Sequence, residues 1–191
     1  MTRPPFLLIG GGARSGKSAY ALARALEWGS QRIFLATAED RDPEMHERIT
    51  RHQQERAQLF VTVEEPRSLA AALELYGSSD GILVDCLTLW ISNLMWDAQG
   101  KETRPELIEE QIEHLCRTIR NRRCPIILVS NEVGMGTVPS HASARAFRDY
   151  TGRAHQLLAQ EADEVFLALF GCVLRIKPSL DLAHPIPTSQ E

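Results

Sequence analysis

Phe6-Leu7-Leu8-Ile9-Gly10-Gly11-Gly12-Ala13-Arg14-Ser15-Gly16-Lys17-Ser18 is the stretch that decides the fold. Its last eight residues spell G-x-x-x-x-G-K-S, and they stand where that spacing has physical meaning. Phe6–Ile9 reads as a buried strand and Ala19–Leu26 as a helix. Between them, glycines let the backbone wrap an anion, so that its N–H groups and the helix N-terminus face phosphate oxygens. Lys17 is then placed to reach β and γ phosphates, and Ser18 to hold Mg²⁺. The pattern predicts a nucleoside triphosphate site. A chance glycine-rich turn is disfavoured because strand and helix are both in place.

A chain of 191 residues supports one sizeable core, and no linker divides it. Residues 1–177 are read as a single phosphate-loop α/β domain. Residues 178–191, which carry three prolines and little periodicity, are read as a tail. Hydrophobic residues make up 43%, and the net charge is -4 with basic residues mixed among acidic ones, so no nucleic-acid partner is expected. No apolar run reaches the length of a membrane span. Met1-Thr2-Arg3-Pro4-Pro5 leads into the first strand without a signal-peptide core, and a cytoplasmic protein is expected. Cys86, Cys116, Cys124 and Cys172 form no C-x-x-C pair, which argues against a zinc knuckle or a redox motif.

Apolar strands alternate with helices along the chain, as expected for a mostly parallel sheet covered on both faces. Gly29 is expected to cap the first helix, and Arg32–Ala36 to form a strand that ends at Thr37. Asp42-Pro43 opens a helix to about Gln58, followed by a strand at Leu59–Val63 and a short helix at Ser68–Leu75. Ile82-Leu83-Val84 is a buried strand ending in Asp85, and Leu87–Asp97 is helical. Thr103 with Glu106 predicts a capping box for a helix to about Asn121. Pro125–Ser130 is the clearest later strand, and it delivers the polar loop Asn131–Gly136. A long helix from Ser143 to Ala162 precedes strand Glu164–Leu169, and Val173–Ile176 is expected to return as an antiparallel edge. A ligand would lie at the carboxyl ends of the strands.

Asp85 closes an apolar strand, where a carboxylate can bind Mg²⁺ directly or through water, or instead cap the next helix. Mg²⁺ and Lys17 would neutralise the polyphosphate for attack at either the γ- or the α-phosphorus. His52 shares a helix face with Met45 and Ile49. Its imidazole is either a packed helix residue or a nucleophile able to form a phosphoramidate, with Arg51 and Arg56 nearby. His46, His114, His141, His155 and His184 make no metal-binding pair. Arg145, Arg148 and Arg153 either clamp phosphates or lie on a solvated helix face.

Together these segments resemble the bifunctional adenosylcobinamide kinase / adenosylcobinamide-phosphate guanylyltransferase family of cobalamin biosynthesis. The match rests on Gly11–Ser18, Ala36-Thr37, Glu44-Met45, Arg48-Ile49, His52-Gln53-Gln54-Glu55-Arg56 and Val63-Glu64. It continues through Asn93-Leu94, Asn131–Gly136, Val138-Pro139, Phe147-Arg148-Asp149, Gly152-Arg153 and Ala162–Val165. These islands follow the family's order over nearly the whole chain, from about residue 6 to 177.

The resemblance implies a RecA-like fold and a homotrimer. It also implies two reactions. Adenosylcobinamide takes the γ-phosphate of ATP or GTP, and adenosylcobinamide-phosphate then receives GMP from GTP to give adenosylcobinamide-GDP. On this resemblance His52, which matches the histidine of the H-x-x-x-R step, attacks the α-phosphate and carries GMP. Nucleotide contacts are implied for Gly11, Gly12, Ala13, Arg14, Ser15, Gly16, Lys17, Ser18, Ala36, Thr37, Ala38, Gln53, Gln54, Glu55, Arg56, Glu64 and Asp85. Two positions depart from the family pattern: some members have Glu in place of Asp85, and Asn commonly stands where this chain has His155. A kinase without a nucleotidyl intermediate and a nucleotide-dependent switch are the competing readings. No N-K-x-D motif is present to choose between ATP and GTP.

Overall fold

Strands buried on both faces are mostly apolar, as are the β-strands at the centre of this sheet. The computed structural model, which describes residues 3–39, 58–97 and 99–178, has strands β1 (Phe6–Gly11), β2 (Arg32–Ala36), β3 (Val61–Glu64), β4 (Gly81–Asp85), β5 (Ile126–Asn131), β6 (Glu164–Leu169) and β7 (Cys172–Lys177). The seven-stranded sheet has the order β3-β2-β4-β5-β1-β6-β7. Every pairing is parallel except β6 with β7.

Side-chain alternation sends Phe6, Leu8, Leu35, Val84 and Leu128 to one face, where they meet Trp90, Ile112 and Leu158. Leu7, Ile9, Phe34, Leu83, Ile127 and Val129 go to the other, against Ala21 and Ala25. Those partners come from helices α1 (Lys17–Ala25), α3 (Leu87–Leu94), α4 (Pro105–Arg120) and α5 (Ala142–Glu161); α2 (Leu69–Leu75) adds Leu69 and Leu73 to the first face. This is the expected α/β sheet with helices on both faces and an antiparallel edge.

Three local expectations are corrected. The Thr103–Glu106 capping box does not form: the cap position of α4 is Arg104, without a side-chain cap, and Pro105 occupies the first turn. Thr103 instead gives its amide to the Met95 carbonyl at 2.9 Å. Gly29 does not cap α1, which ends at Ala25 with Leu26 as cap. A Cβ at Gly29 would stand 2.2 Å from Asp80 Oδ2, and that carboxylate accepts from the Gln31 amide at 2.7 Å. The glycine serves close approach rather than helix termination. Finally, α3 stops at Leu94 rather than Asp97, because Trp96 bridges to Glu102 and its carbonyl accepts from Arg67 at 2.8 Å. The helix expected from Asp42 lies outside the described residues.

Candidate active site

Parallel pairing brings the strand ends to one edge. Ala36 stands in register between Glu64 and Asp85, and Gly11 between Asn131 and Ala168. Gly11 must be glycine, since a Cβ there would come within 2.5 Å of the Ala168 carbonyl oxygen and 2.7 Å of Ser15 Oγ. The chain then turns through Arg14 at φ 56° and Gly16 at φ 94°, both in the left-handed region, to start α1 at Lys17. No acidic residue lies in the first turn of α1, so its positive dipole end remains available to an anion.

Two buried groups fit a phosphate. Among the described residues Ser15 Oγ has no hydrogen-bond partner, and an unmade bond of this kind carries a desolvation cost that a bound oxyanion would remove. Lys17 is 8% exposed, with its Nζ 3.1 Å from the Gly12 carbonyl oxygen. Among the described residues no carboxylate pairs with this ammonium. Asp85 is half-buried and does not cap α3, whose cap position is Cys86. The Cys86 thiol is pushed up chiefly by burial and further by Asp85, while its hydrogen bonds with Thr88 and the Leu89 backbone, and more weakly the charge of Lys17, act in the opposite sense. A serine hydroxyl and one carboxylate suit Mg²⁺, which takes few protein oxygens and completes its shell with phosphate and water. Among the described residues no cluster of three or more His, Cys, Asp or Glu offers a self-sufficient metal cage.

Thr37 is fully buried and its polar atoms are occupied. Its hydroxyl donates to the Cys86 carbonyl at 2.7 Å and accepts from the Cys86 amide at 2.8 Å, while its carbonyl accepts from Asn93 at 2.7 Å. It positions Ala36 and Ala38, which are half-buried, and offers no polar atom of its own. Glu64 is exposed at the end of β3. His52, Gln53, Gln54, Glu55 and Arg56 lie outside the described residues.

The loop after β5 is shaped from within. The Glu132 amide donates to the Gly11 carbonyl at 3.0 Å, and its carboxylate accepts from Gly134 at 2.7 Å and Met135 at 3.1 Å. Arg148 donates to the carbonyls of Gly134 and Thr137, and Arg145 to those of Pro139 and Ser140. Both guanidinium groups are thus engaged in holding the loop, a role that neither the phosphate-clamp nor the solvated-face alternative describes. Arg153 is exposed on α5.

Two contacts had no sequence signal. Asn131 donates to Thr88 Oγ1 at 2.9 Å, tying β5 to α3. His155 Nε2 lies 2.7 Å from Ser130 Oγ, and burial lowers the imidazole pKa while Glu132 opposes that shift.

A profile described as cobinamide kinase / cobinamide phosphate guanyltransferase matches residues 7–176. The bifunctional adenosylcobalamin biosynthesis protein CobU of Escherichia coli (strain K12) is 37% identical over 182 residues, covering 90% of this chain and 99% of that protein. The CobU of Salmonella typhimurium is 39% identical over 183 residues, covering 90% and 99% respectively. The CobP of Pseudomonas aeruginosa is 38% identical over 171 residues, covering 89% of this chain and 96% of that protein. A type III secretion system ATPase shares the fold with a TM-score of 0.52 at 15% identity, over 85% of this chain and 50% of its own.

Proposed function

The chain belongs to the cobinamide kinase / cobinamide phosphate guanyltransferase family, and from that premise we propose how its residues divide the two reactions. Gly11–Ser18 binds the triphosphate in both. In the kinase step the hydroxyl of adenosylcobinamide attacks the γ-phosphorus of ATP or GTP, the bond to the β–γ bridging oxygen breaks, and the nucleoside diphosphate leaves. In the transferase step a His52 ring nitrogen attacks the α-phosphorus of GTP and pyrophosphate leaves. The phosphate of adenosylcobinamide-phosphate then displaces the histidine, giving adenosylcobinamide-GDP and free His52.

The observation that carries this reading is a buried Lys17, with no carboxylate partner among the described residues, beside the Ser15 hydroxyl at the N-terminus of α1, which has no hydrogen-bond partner there. Lys17 stabilises charge on the β and γ phosphates, and the glycine-bounded loop directs amides toward them. Mg²⁺, held by Ser18 and Asp85, would neutralise polyphosphate charge. Ala36 and Glu64 end strands at the same sheet edge as the loop, and with Ala38 they contact the nucleotide; the family resemblance adds Gln53, Gln54, Glu55 and Arg56 as contacts. The protein acts in the cytoplasm as a homotrimer. No helix among the described residues is long and apolar enough to cross a membrane.

The test uses Mg²⁺ and GTP labelled at either the α or the γ phosphate, followed by denaturation, with a His52→Ala variant alongside. Acid-labile, base-stable label from the α position only, absent in the variant, is expected. Absence of α label in the parent would remove the histidine intermediate and leave a kinase. A mass near that of one chain in light scattering would contradict the trimer.

A further inference from the structure

The turn between β6 and β7 is two residues, Phe170 and Gly171, both with positive φ, at 53° and 77°. Such turns match the twist of a hairpin, and their first position favours Asn, Asp or Gly because a bulky side chain is strained there. This chain spends the position on phenylalanine, and the ring is 92% exposed. Neither local conformation nor core packing accounts for an aromatic residue at this place.

The same turn is fastened to the phosphate loop. The Gly171 amide donates to the Ser15 carbonyl at 3.1 Å, and a Cβ on Gly16 would lie 3.6 Å from Gly171 Cα. Phe170 is joined directly to the residue that makes this bond. A water-exposed ring on a strained backbone is therefore held next to the loop that the triphosphate reading assigns to the phosphates. Leu174, also exposed on β7, has no such tie to the loop.

We propose that Phe170 is the stacking surface for the purine of the nucleoside triphosphate bound at Gly11–Ser18. The proposal rests on the triphosphate reading of that loop. It adds an aromatic platform outside the positions that the phosphate-loop pattern names. Stacking tolerates either purine, so the residue raises affinity for ATP and GTP alike and does not choose between them.

The experiment is calorimetric titration of the full chain and of Phe170→Gly and Phe170→Trp with Mg-ATP, Mg-GTP and Mg-tripolyphosphate. Glycine suits the turn, so Phe170→Gly is expected to fold with an unchanged or higher thermal midpoint. Its Kd for both nucleotides should rise about 5- to 150-fold, the range for loss of one base–aromatic stack. Its tripolyphosphate affinity should not change. Phe170→Trp should keep nucleotide affinity and show indole quenching with nucleotide but not with tripolyphosphate.

Equal nucleotide affinity in Phe170→Gly and the parent would overturn the proposal. If the assembled mass also fell in that variant, the ring would instead be a contact between copies. A parent chain that bound neither nucleotide nor tripolyphosphate would show that the loop reading itself had failed, a result distinct from loss of stacking alone.

Discussion

Thr37 and Cys86 exchange two hydrogen bonds through a single hydroxyl, 2.7 Å to the Cys86 carbonyl and 2.8 Å from its amide, where β2 and β4 end. The hydroxyl closes the gap beyond the last residues of the parallel ladder, and the Thr37 amide adds a 3.3 Å bond to the Asp85 carbonyl. These bonds hold the backbone on either side of the Asp85–Cys86 peptide. Replacing Thr37 with Val keeps the shape and leaves the buried Cys86 N–H unpaired, while the Cys86 carbonyl keeps its 3.2 Å bond from the Trp90 amide. The expected loss is about 1–3 kcal/mol of unfolding free energy, read by urea denaturation. A loss below about 1 kcal/mol would mean that the pair does not hold the strand ends.

Gly11 faces a harder constraint, because the atom it would strike is backbone. With a Cβ 2.5 Å from the Ala168 carbonyl oxygen, Gly11→Ala must move β6, the loop, or both. The expected cost is about 1–3 kcal/mol from overpacking, together with weakened binding of Mg-tripolyphosphate as the loop opens. Parallel denaturation and titration would check it, and wild-type affinity in the variant would show that the loop tolerates the shift.

Arg148 holds Gly134 and Thr137 from a helix across the loop. Its bonds are exposed, so Arg148→Ala should change global stability by less than about 1 kcal/mol. The effect belongs to the loop itself, whose backbone loses two of its restraints. Limited proteolysis should cleave faster between Gly134 and Ser140 in the variant. Unchanged cleavage there would assign the loop's shape to the Glu132 carboxylate and Arg145.

The phosphate loop was legible because glycine, lysine and serine at that spacing do one thing well, and the apolar runs on either side agreed with it. Strand Glu164–Leu169 was read with the bounds it has. Other readings failed where a local signal met a tertiary competitor. Thr103 resembled a cap, but its amide went to Met95 and Pro105 took the first helical turn. Gly29 resembled a terminator, yet its position answers to Asp80, far along the chain. Arg145 and Arg148 carried the right charge for phosphate and were used by carbonyls that no periodicity reveals. Placement of β5 between β4 and β1, which sets Asn131 beside Gly11, is a property of sheet order and not of any single segment.

His155 offers a prediction with a definite sign. Its imidazole is 2.7 Å from Ser130 Oγ and its pKa is lowered from 6.5 by burial, the charge of Glu132 only partly opposing this. A folded pKa below the unfolded one means that the unfolded chain binds the proton first on acidification. The stability contributed by the neutral ring is therefore complete above about pH 6.5. It falls as pH drops through that value toward the folded pKa, and then levels off. Glu161, held below its usual 4.5 by hydrogen bonding to Arg120, titrates under this window. The pH dependence of unfolding free energy between about pH 5 and 7.5 should thus be steeper in the parent than in His155→Asn, whose amide can still bond Ser130 but does not titrate. A parent that gained stability over the variant on acidification would instead mean that a charged imidazole facing Glu132 outweighs its desolvation.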